Sequence, residues 1–361
     1  SSAPPASSLA TSSVSSSDTI SSTSASSVSS DAQAVAVTGF IVVDQFGYLP
    51  DSKKVAVIRD PQTGYDAALS FTPGATYQLV DLDSNTVVHS GTPVSWKSGA
   101  TYALAGDKAW WFDFSAVTTP GRYAVVDKEK NVRTPGFKIA ADVYKPVLKH
   151  ALRTFFYQRA GFAKQAPYAE TGWTDSASHI GAGQDKNARL YSDKTNVATE
   201  KDLSGGWYDA GDYNKYTNWH AYYLIALLHA YAENPAIWGD DYNIPESGNG
   251  IPDIIDEIKW GFDWLKKMQN DDGSVLSIVG LDHASPPSAA TGPSYYGPAS
   301  TSATLTSAGA FALGSKILAG LDDDELADYA ADLKIRTEDA WDWAIANPSV
   351  TFRNNEGSSA G

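Results

Sequence analysis

The sequence predicts two domains of different class, an all-β sandwich of immunoglobulin type over residues 35–140 and an all-α domain over residues 141–361. Two observations support this prediction. Short β-rich runs separated by Gly, Pro and Asn fill the first range, whereas apolar residues at helical spacing fill the second. Ahead of both, residues 1–34 are rich in serine and nearly free of large apolar side chains.

The segment 1–34 is predicted to be a flexible linker. Its side chains cannot bury enough apolar surface to offset the entropy that would be lost on ordering the chain. Linkers rich in Ser, Thr and Pro often join the modules of secreted proteins. We therefore expect the protein to work outside the cytoplasm, in secreted form, at the cell surface or in the periplasm.

The predicted sandwich rests on seven β-rich runs. They are Phe40–Val43, Val55–Ile58, Tyr77–Val80, Thr86–His89, Trp110–Phe114, Tyr123–Val126 and Gly136–Ile139. Turn-forming residues separate them, as at Thr72–Gly74 and Thr119–Gly121. Several short strands within about 100 residues are typical of an immunoglobulin-like sandwich.

Helical periodicity begins near Asp142. Apolar stripes run from Val143 to Phe155, from Trp219 to Tyr231 and from Ile254 to Met268, and the third follows Pro252. Two further helices are predicted over residues 302–319 and 324–346. The connections 161–218 and 271–300 are long and rich in Gly, Pro, Tyr and Ser, and such loops usually carry function.

Composition narrows the classes of partner. The formal net charge is -15 and basic residues form no block, so nucleic acid and anionic membranes are unsuited as partners. There is no cysteine, which excludes disulfides, thiol catalysis and thiolate metal sites. No apolar run reaches the ~20 residues that are needed to cross a bilayer. A neutral or weakly cationic ligand remains compatible with this charge.

The most informative segment is 205–216, in which Asp209 and Asp212 lie three residues apart. Gly211 stands between them, and we expect it to let the backbone turn so that both carboxylates face one small volume. Aromatic rings surround the pair, namely Trp207, Tyr208, Tyr213 and Tyr216. Acids among aromatic rings suit a site that holds sugar rings and activates water. The simpler alternative is a turn whose acids cap the following helix.

Five motifs occur in order along the chain. They are Val43–Pro50, Phe155–Arg159 with Ala166–Tyr168, Ser204–Tyr213, Asn249–Glu257 with Trp260–Gly261, and Trp341–Ala344 with Ala346–Pro348. In these motifs the chain resembles glycoside hydrolase family 9, which consists mostly of cellulases. The resemblance is to the subgroup that carries an N-terminal immunoglobulin-like domain.

The resemblance implies that residues 141–361 are the N-terminal part of an (α/α)6 barrel that is apparently truncated at its C-terminus. It also implies inverting hydrolysis of β-1,4-glucosidic bonds in cellulose or related β-glucans. Asp212 would be the general base and Asp209 would orient the water. The general acid of the family is a later glutamate, which we expect beyond residue 361.

Aromatic residues in the same region are candidates for substrate binding. Trp207, Tyr208 and Tyr213 lie in the acid motif, and Tyr295 and Tyr296 form a pair in a long loop. Each ring could stack on a sugar, and Trp207 or Tyr213 could instead form a wall of the loop.

We expect the chemistry to need no cofactor and the protein to be a monomer whose partner is its polysaccharide substrate. Structural calcium fits the family, with ligands unassigned. The zinc site that several relatives have near the position of Ser178 and His179 is broken or absent here, because cysteine is lacking. Two alternatives stay open: an exo-acting glucosaminidase of the same family and a non-catalytic glycan-binding fragment. The sequence does not distinguish internal cleavage from trimming of chain ends.

Overall fold

The computed structural model describes residues 35–356, so the linker predicted over residues 1–34 lies outside the described residues. The chain divides into two compact units, the first ending at Tyr144 and the second beginning at Lys145. In the described residues, no helix combines the length and the apolar character that a membrane span requires.

The described part of the first unit is built of short strands. They are β1 (Ala36–Val37), β2 (Ile41–Val42), β3 (Val55–Pro61), β4 (Tyr77–Asp81), β5 (Thr86–Gly91), β6 (Val94–Ser95), β7 (Asp107–Asp113), β8 (Gly121–Asp127), β9 (Val132–Arg133) and β10 (Phe137–Ile139). Each of the seven predicted runs overlaps one of these strands. The additional strands β1, β6 and β9 have two residues each, which is too short for an alternating pattern to reveal them.

These strands form two sheets. One has the order β1-β9-β8-β4-β5, with β10 also paired to β8, and the other has the order β2-β3-β7-β6. Alternate residues of the long strands point into one core, which contains Ile58, Leu79, Phe112, Val125 and Phe137. The two inner faces together bury a set of aromatic rings, as expected for a sandwich.

The second unit contains five helices among its described residues. They are α1 (Lys145–Gln158), α2 (Thr217–Glu233), α3 (Asp253–Met268), α4 (Thr301–Leu318) and α5 (Asp324–Ala346). Helix α3 buries the predicted stripe on Ile254, Ile258 and Phe262, and Pro252 directly precedes its first residue. The ring of Phe262 stacks on Phe311 of α4, with centroids 5.9 Å apart, which joins the two helices in one core.

The stripes predicted for α1 and α2 are partly wrong. Val143 precedes α1, and Ala151 is exposed on it. On α2 the buried face is centred on Leu224 and Leu228, whereas Trp219 is exposed. Helix α2 is apolar on almost every face, so periodicity could not identify the buried one.

The two long connections meet in a small sheet that the sequence did not predict. Its strands are β11 (Arg189–Leu190), β12 (Lys215–Tyr216), β13 (Ile278–Gly280) and β14 (Tyr295–Tyr296), in the order β11-β14-β13-β12. Strand β12 leads directly into α2. The sheet therefore fixes the end of the acid motif at the start of that helix.

Candidate active site

One glycine of the motif, Gly206, is required by close packing. Gly206 has a φ of 72°, and a Cβ there would lie 2.6 Å from the Trp264 ring. The carbonyl of Gly206 accepts a hydrogen bond from the Trp260 indole at 2.9 Å. The segment therefore lies directly against two tryptophans of α3 before it reaches the acids.

Trp207 is a packing residue in this structure, which contradicts its predicted role in stacking on sugar. Its side chain is 2% exposed and its ring lies against Gly261, where a Cβ would be 2.3 Å away. The indole N–H donates to the buried Glu257 carboxylate at 3.2 Å, and the ring stacks on His220. No face of the ring is left for a ligand.

This packing carries a prediction for Gly261. We expect Gly261→Ala to lower the free energy of unfolding by about 1–3 kcal/mol, because the methyl group would overlap the Trp207 ring. The matched control is Gly309→Ala in α4, where a Cβ would meet only Ile225, at 3.9 Å. That change should be neutral or stabilising by up to about 1 kcal/mol, since alanine favours helix more than glycine does. Equal effects in urea unfolding would contradict the packing explanation.

Tyr208 is also buried, at 4% exposure, so the structure does not support stacking of its ring on sugar either. Its hydroxyl is hydrogen-bonded to Ser178 at 2.5 Å and to His179 Nδ1 at 2.6 Å. His179 in turn bonds the carbonyl of Asp282 through Nε2 at 2.7 Å. These contacts anchor the loop just before Asp209.

The turn that carries the acids is closed by its own backbone. The Asp209 N–H donates to the Asn214 carbonyl at 3.0 Å, and the Tyr213 N–H donates to the Ala210 carbonyl at 3.1 Å. The left-handed residue is Tyr213, with a φ of 55°, and not Gly211 as we expected. A Cβ at Gly211 would have no heavy atom within 4 Å, so the turn is uncrowded beside this residue.

Asp209 is half-buried and held from α2. Its Oδ1 accepts a hydrogen bond from the Tyr223 hydroxyl at 2.7 Å. Burial raises the pKa of the Asp209 carboxyl, the negative charge of Asp212 acts in the same direction, and the Tyr223 hydrogen bond opposes them.

Asp212 has a different set of partners. Its Oδ2 accepts from the Tyr216 hydroxyl at 2.8 Å and from the Asn214 side-chain amide at 2.9 Å, and its Oδ1 accepts from the Asn214 N–H at 3.2 Å. The Asn214 side-chain oxygen accepts from the Leu281 N–H at 2.9 Å. Asn214 thus ties Asp212 to the loop that follows β13, which fixes the orientation of the carboxylate.

The register of the small sheet separates the two candidate tyrosines of β14. Paired residues share a face, so Tyr216 and Ile278 lie on one face and Lys215, Val279 and Tyr296 on the other. Tyr296 is 5% exposed and donates to the Thr199 carbonyl at 2.7 Å, which contradicts its predicted contact with substrate.

Tyr295 lies on the opposite face of the sheet from Tyr296, the face that also carries Tyr216. Its ring is half-buried and meets the ring of Tyr191 edge-on, with centroids 6.4 Å apart. Tyr213 is also half-buried and packs edge-on against Tyr208 at 5.2 Å. Tyr213 and Tyr295 therefore keep part of their surface available to a ligand.

Three residues that contribute to the site were missed in the sequence. Asn214 and Tyr223 each hold one of the acids. Trp219 is 52% exposed, and its ring centroid lies 4.8 Å from that of Tyr216. A signal was present, since Tyr216, Trp219 and Tyr223 follow helical spacing and reach one side of the helix.

Candidate metal ligands do not cluster in the described residues, in which no group of three or more His, Asp and Glu side chains could hold a metal ion. Asp209 and Asp212 lie on one short turn, and a tyrosine hydroxyl orients each carboxylate.

Family models match both units. A model described as glycosyl hydrolase family 9 matches residues 144–361. A model described as the cellulase N-terminal ig-like domain matches residues 36–131, which confirms the predicted immunoglobulin-like class of the first domain.

Curated relatives are longer than this chain. It is 30% identical to a cellulose 1,4-beta-cellobiosidase of Acetivibrio thermocellus, over 88% of this chain and 37% of the relative. It is 28% identical to a xyloglucan-specific endo-beta-1,4-glucanase of Bacteroides ovatus, over 87% of this chain and 51% of the relative. The chain thus spans about a third to a half of the length of these relatives.

Solved structures match over most of the chain. A metagenome-derived glycoside hydrolase family 9 endoglucanase has a TM-score of 0.73 at 32% identity, covering 88% of this chain and 57% of that one. A Bacteroides ovatus family 9 protein has a TM-score of 0.72 at 27% identity, covering 88% of this chain and 55% of that one.

Proposed function

The chain belongs to glycosyl hydrolase family 9, and on this premise we propose that its protein hydrolyses β-1,4-glucosidic bonds in cellulose or a related neutral β-glucan. The names of its relatives support this substrate class, since they include cellobiosidase, endo-β-1,4-glucanase and cellodextrinase. The observation that carries the proposal is the acid pair on one short turn, with Asp209 held by Tyr223 and Asp212 by Tyr216.

We assign Asp212 as the general base. Its carboxylate takes a proton from a water molecule as the water oxygen attacks the anomeric carbon, on the face opposite to the leaving oxygen. An acid on the leaving side protonates that oxygen, and the product has the inverted configuration. The hydrogen bonds from Asn214 and Tyr216 hold the Asp212 carboxylate, the proposed proton acceptor, in one orientation.

Asp209 orients the same water in this mechanism. It is fixed by Tyr223 at one oxygen, and no described hydrogen bond occupies its other oxygen, Oδ2. A water between the two carboxylates would donate one hydrogen to each. The lone pair of its oxygen would then be directed away from the turn, toward the open space in front of Gly211.

Substrate contacts are assigned to the rings that remain exposed. We propose that Trp219, Tyr213 and Tyr295 contact sugar rings, because each keeps accessible surface and Trp219 adjoins the tyrosine that holds Asp212. Trp207, Tyr208 and Tyr296 are buried, and their packing and hydrogen bonds hold the segments of the site in place.

We also propose that residues 35–140 form the immunoglobulin-like domain and residues 141–361 part of an (α/α)6 barrel, which the two family matches support. The protein would act outside the cytoplasm, as a monomer, on polysaccharide.

The hydrogen bond between Tyr223 and Asp209 gives a pH prediction. In Tyr223→Phe the pKa of Asp209 should rise further, since a hydrogen bond that stabilises the charged carboxylate is lost. A carboxylate with a higher pKa needs a higher pH to ionise, so the acid limb of kcat/KM should move to higher pH. The control is Tyr222→Phe, whose exposed side chain is one residue away. An acid limb that stays in place in Tyr223→Phe would contradict the role of Asp209.

The substrate class is tested by measuring reducing ends released from carboxymethylcellulose, crystalline cellulose, xyloglucan and chitosan oligomers. Release from at least one of the glucose-backbone polymers, with little from chitosan oligomers, is the expected result. Release from chitosan oligomers alone would replace the proposal with a glucosaminidase. Binding to the polymers without release from any substrate would identify a non-catalytic glycan-binding protein.

A further inference from the structure

A second feature of the helical unit lies along α1. One cavity of about 330 Å³ is lined by Arg153, Tyr157, Glu170 and Trp173, together with His150 and Thr154. Another, of about 550 Å³, is lined by residues of the first turns of α1 and of the loop around Trp238. Both include His150 in their lining, so they are neighbours along the helix, and together they are called the α1 groove here. The lining residues Lys145 to Tyr157 span about 18 Å at the rise of an α-helix.

This α1 groove faces away from the acid pair. Phe155, whose ring contacts Trp207 and Tyr223, lies on the side of α1 toward the acids. Arg153 and Tyr157 are two residues away on either side, which places them about 160° around the helix from Phe155. The groove and the acid pair are therefore separate sites on one unit.

Aromatic rings are presented at both ends of the α1 groove. Trp173 is 73% exposed, and its ring meets that of Tyr157 edge-on with centroids 6.4 Å apart. At the other end, the Trp238 indole donates to the Ala230 carbonyl at 3.2 Å, which fixes the ring at the cavity wall.

The polar groups in the groove are preorganised. The Arg153 side chain is 3% exposed and donates to the carbonyls of Tyr168, Tyr242 and Asn243 and to the Glu170 carboxylate. The Glu170 carboxylate also accepts from the Tyr157 hydroxyl and remains half exposed. The positive charge of Arg153 is thus already paired, while Glu170 still offers acceptor capacity to hydroxyl groups.

These features match one ligand chemistry. A groove of this length with aromatic rings and a hydroxyl acceptor suits an extended, uncharged chain with apolar ring faces and equatorial hydroxyls. Lys145, Lys149 and Asp241 also line the groove, and Lys149 donates to the Asp241 carbonyl. An anionic polymer is disfavoured because Arg153 is paired with Glu170 and the protein carries a net charge of -15.

We propose that the α1 groove is an ancillary binding site for a neutral β-linked glucan chain, held by Trp173 and Trp238 at a distance from the acid pair. The choice of glucan rests on the proposed function, but the site itself does not take part in hydrolysis. It would keep the protein on a polymer whose other segments reach the acids.

The test is affinity electrophoresis of the full chain in native gels that contain hydroxyethylcellulose, a neutral polymer. The parent protein carries Trp219→Ala, so that binding near the acid pair is weakened. Adding Trp173→Ala should raise the dissociation constant about tenfold, in line with loss of one stacking ring. The matched control is Trp341→Ala, which removes another exposed tryptophan, 53% accessible, from α5. It should leave retardation unchanged.

These outcomes test glucan binding in the α1 groove independently of whether the protein hydrolyses its substrate. Retardation that is lost with Trp173→Ala and reduced with Trp238→Ala supports the site even if no substrate is hydrolysed. Unchanged retardation in Trp173→Ala, or an equal loss in Trp341→Ala, overturns it. Retardation by carboxymethylcellulose but not by the neutral polymer overturns the ligand assignment and would indicate an anionic partner.

Discussion

Replacing Asp212 with Asn is expected to lower kcat by about 100-fold or more while leaving substrate affinity largely unchanged. The amide has nearly the shape of the carboxylate, and its oxygen can still accept from Asn214. The amide nitrogen cannot take a proton from water, so only the chemical step should suffer. The measurement is initial release of reducing ends at saturating substrate, together with the dissociation constant of a cello-oligosaccharide.

Asp328→Asn is the matched control for Asp212→Asn. It removes the same charge from an exposed position on α5, and we expect activity within twofold of the parent. An equal fall in activity in both variants would indicate that the change in net charge, and not the loss of the base, lowers turnover. An Asp212→Asn protein with full turnover would contradict the assignment of the base.

The second large effect is expected at the buried ion pair beneath the acid motif. Arg159 and Glu257 are both 0% exposed and lie 2.9 Å apart, and Glu246 also pairs with Arg159. Arg159→Met should lower the free energy of unfolding by about 3–5 kcal/mol, because Glu257 is left buried without its cation. The loss would be measured by urea unfolding of the helical unit.

The pH dependence of this loss follows from Glu257. Burial raises the pKa of its carboxyl to about 7, and Arg159 opposes that rise. Without Arg159 the pKa of the Glu257 carboxyl should rise further. A carboxyl with a raised pKa favours the folded state at low pH, and this contribution is lost as the pH increases through that pKa. The destabilisation by Arg159→Met should therefore be larger at pH 8 than at pH 5.

Arg189→Met provides the control for Arg159→Met. Arg189 pairs with Glu200 at 2.8 Å, but both side chains are 29% exposed. Solvent screens such a pair, so its loss should cost about 1 kcal/mol or less. If both arginine variants lost equal stability, burial of the Arg159–Glu257 pair would not be the cause.

How much of the fold could be predicted depended on the length and pattern of each element. Helix α3 was predicted correctly because its apolar residues fall on one stripe, with charged residues elsewhere. Helix α2 was placed correctly, but its buried face was not, since Trp219 and Ala226 of the predicted stripe are exposed. The strands β11 to β14 have two or three residues, and their pairing joins distant segments. No local pattern could reveal them.

In the candidate site, too, the sequence predicted local features but not contacts between distant segments. The acid spacing and the surrounding rings were visible in the sequence, but the contacts of each ring were not. Trp207 is buried because Gly261 leaves space for its ring, and the two lie far apart in sequence. The turn is formed by the left-handed Tyr213 instead of Gly211, because the hydrogen bond from Asp209 to Asn214 closes it.

The most direct measurement is the anomeric configuration of the first product from a cello-oligosaccharide, followed by ¹H NMR within minutes of adding the protein. If Asp209 and Asp212 direct a water molecule to the anomeric carbon from the side opposite to the leaving oxygen, the α anomer should form first and then mutarotate. A β anomer formed first would contradict this mechanism, because retention requires a covalent intermediate on a carboxylate that attacks in place of water.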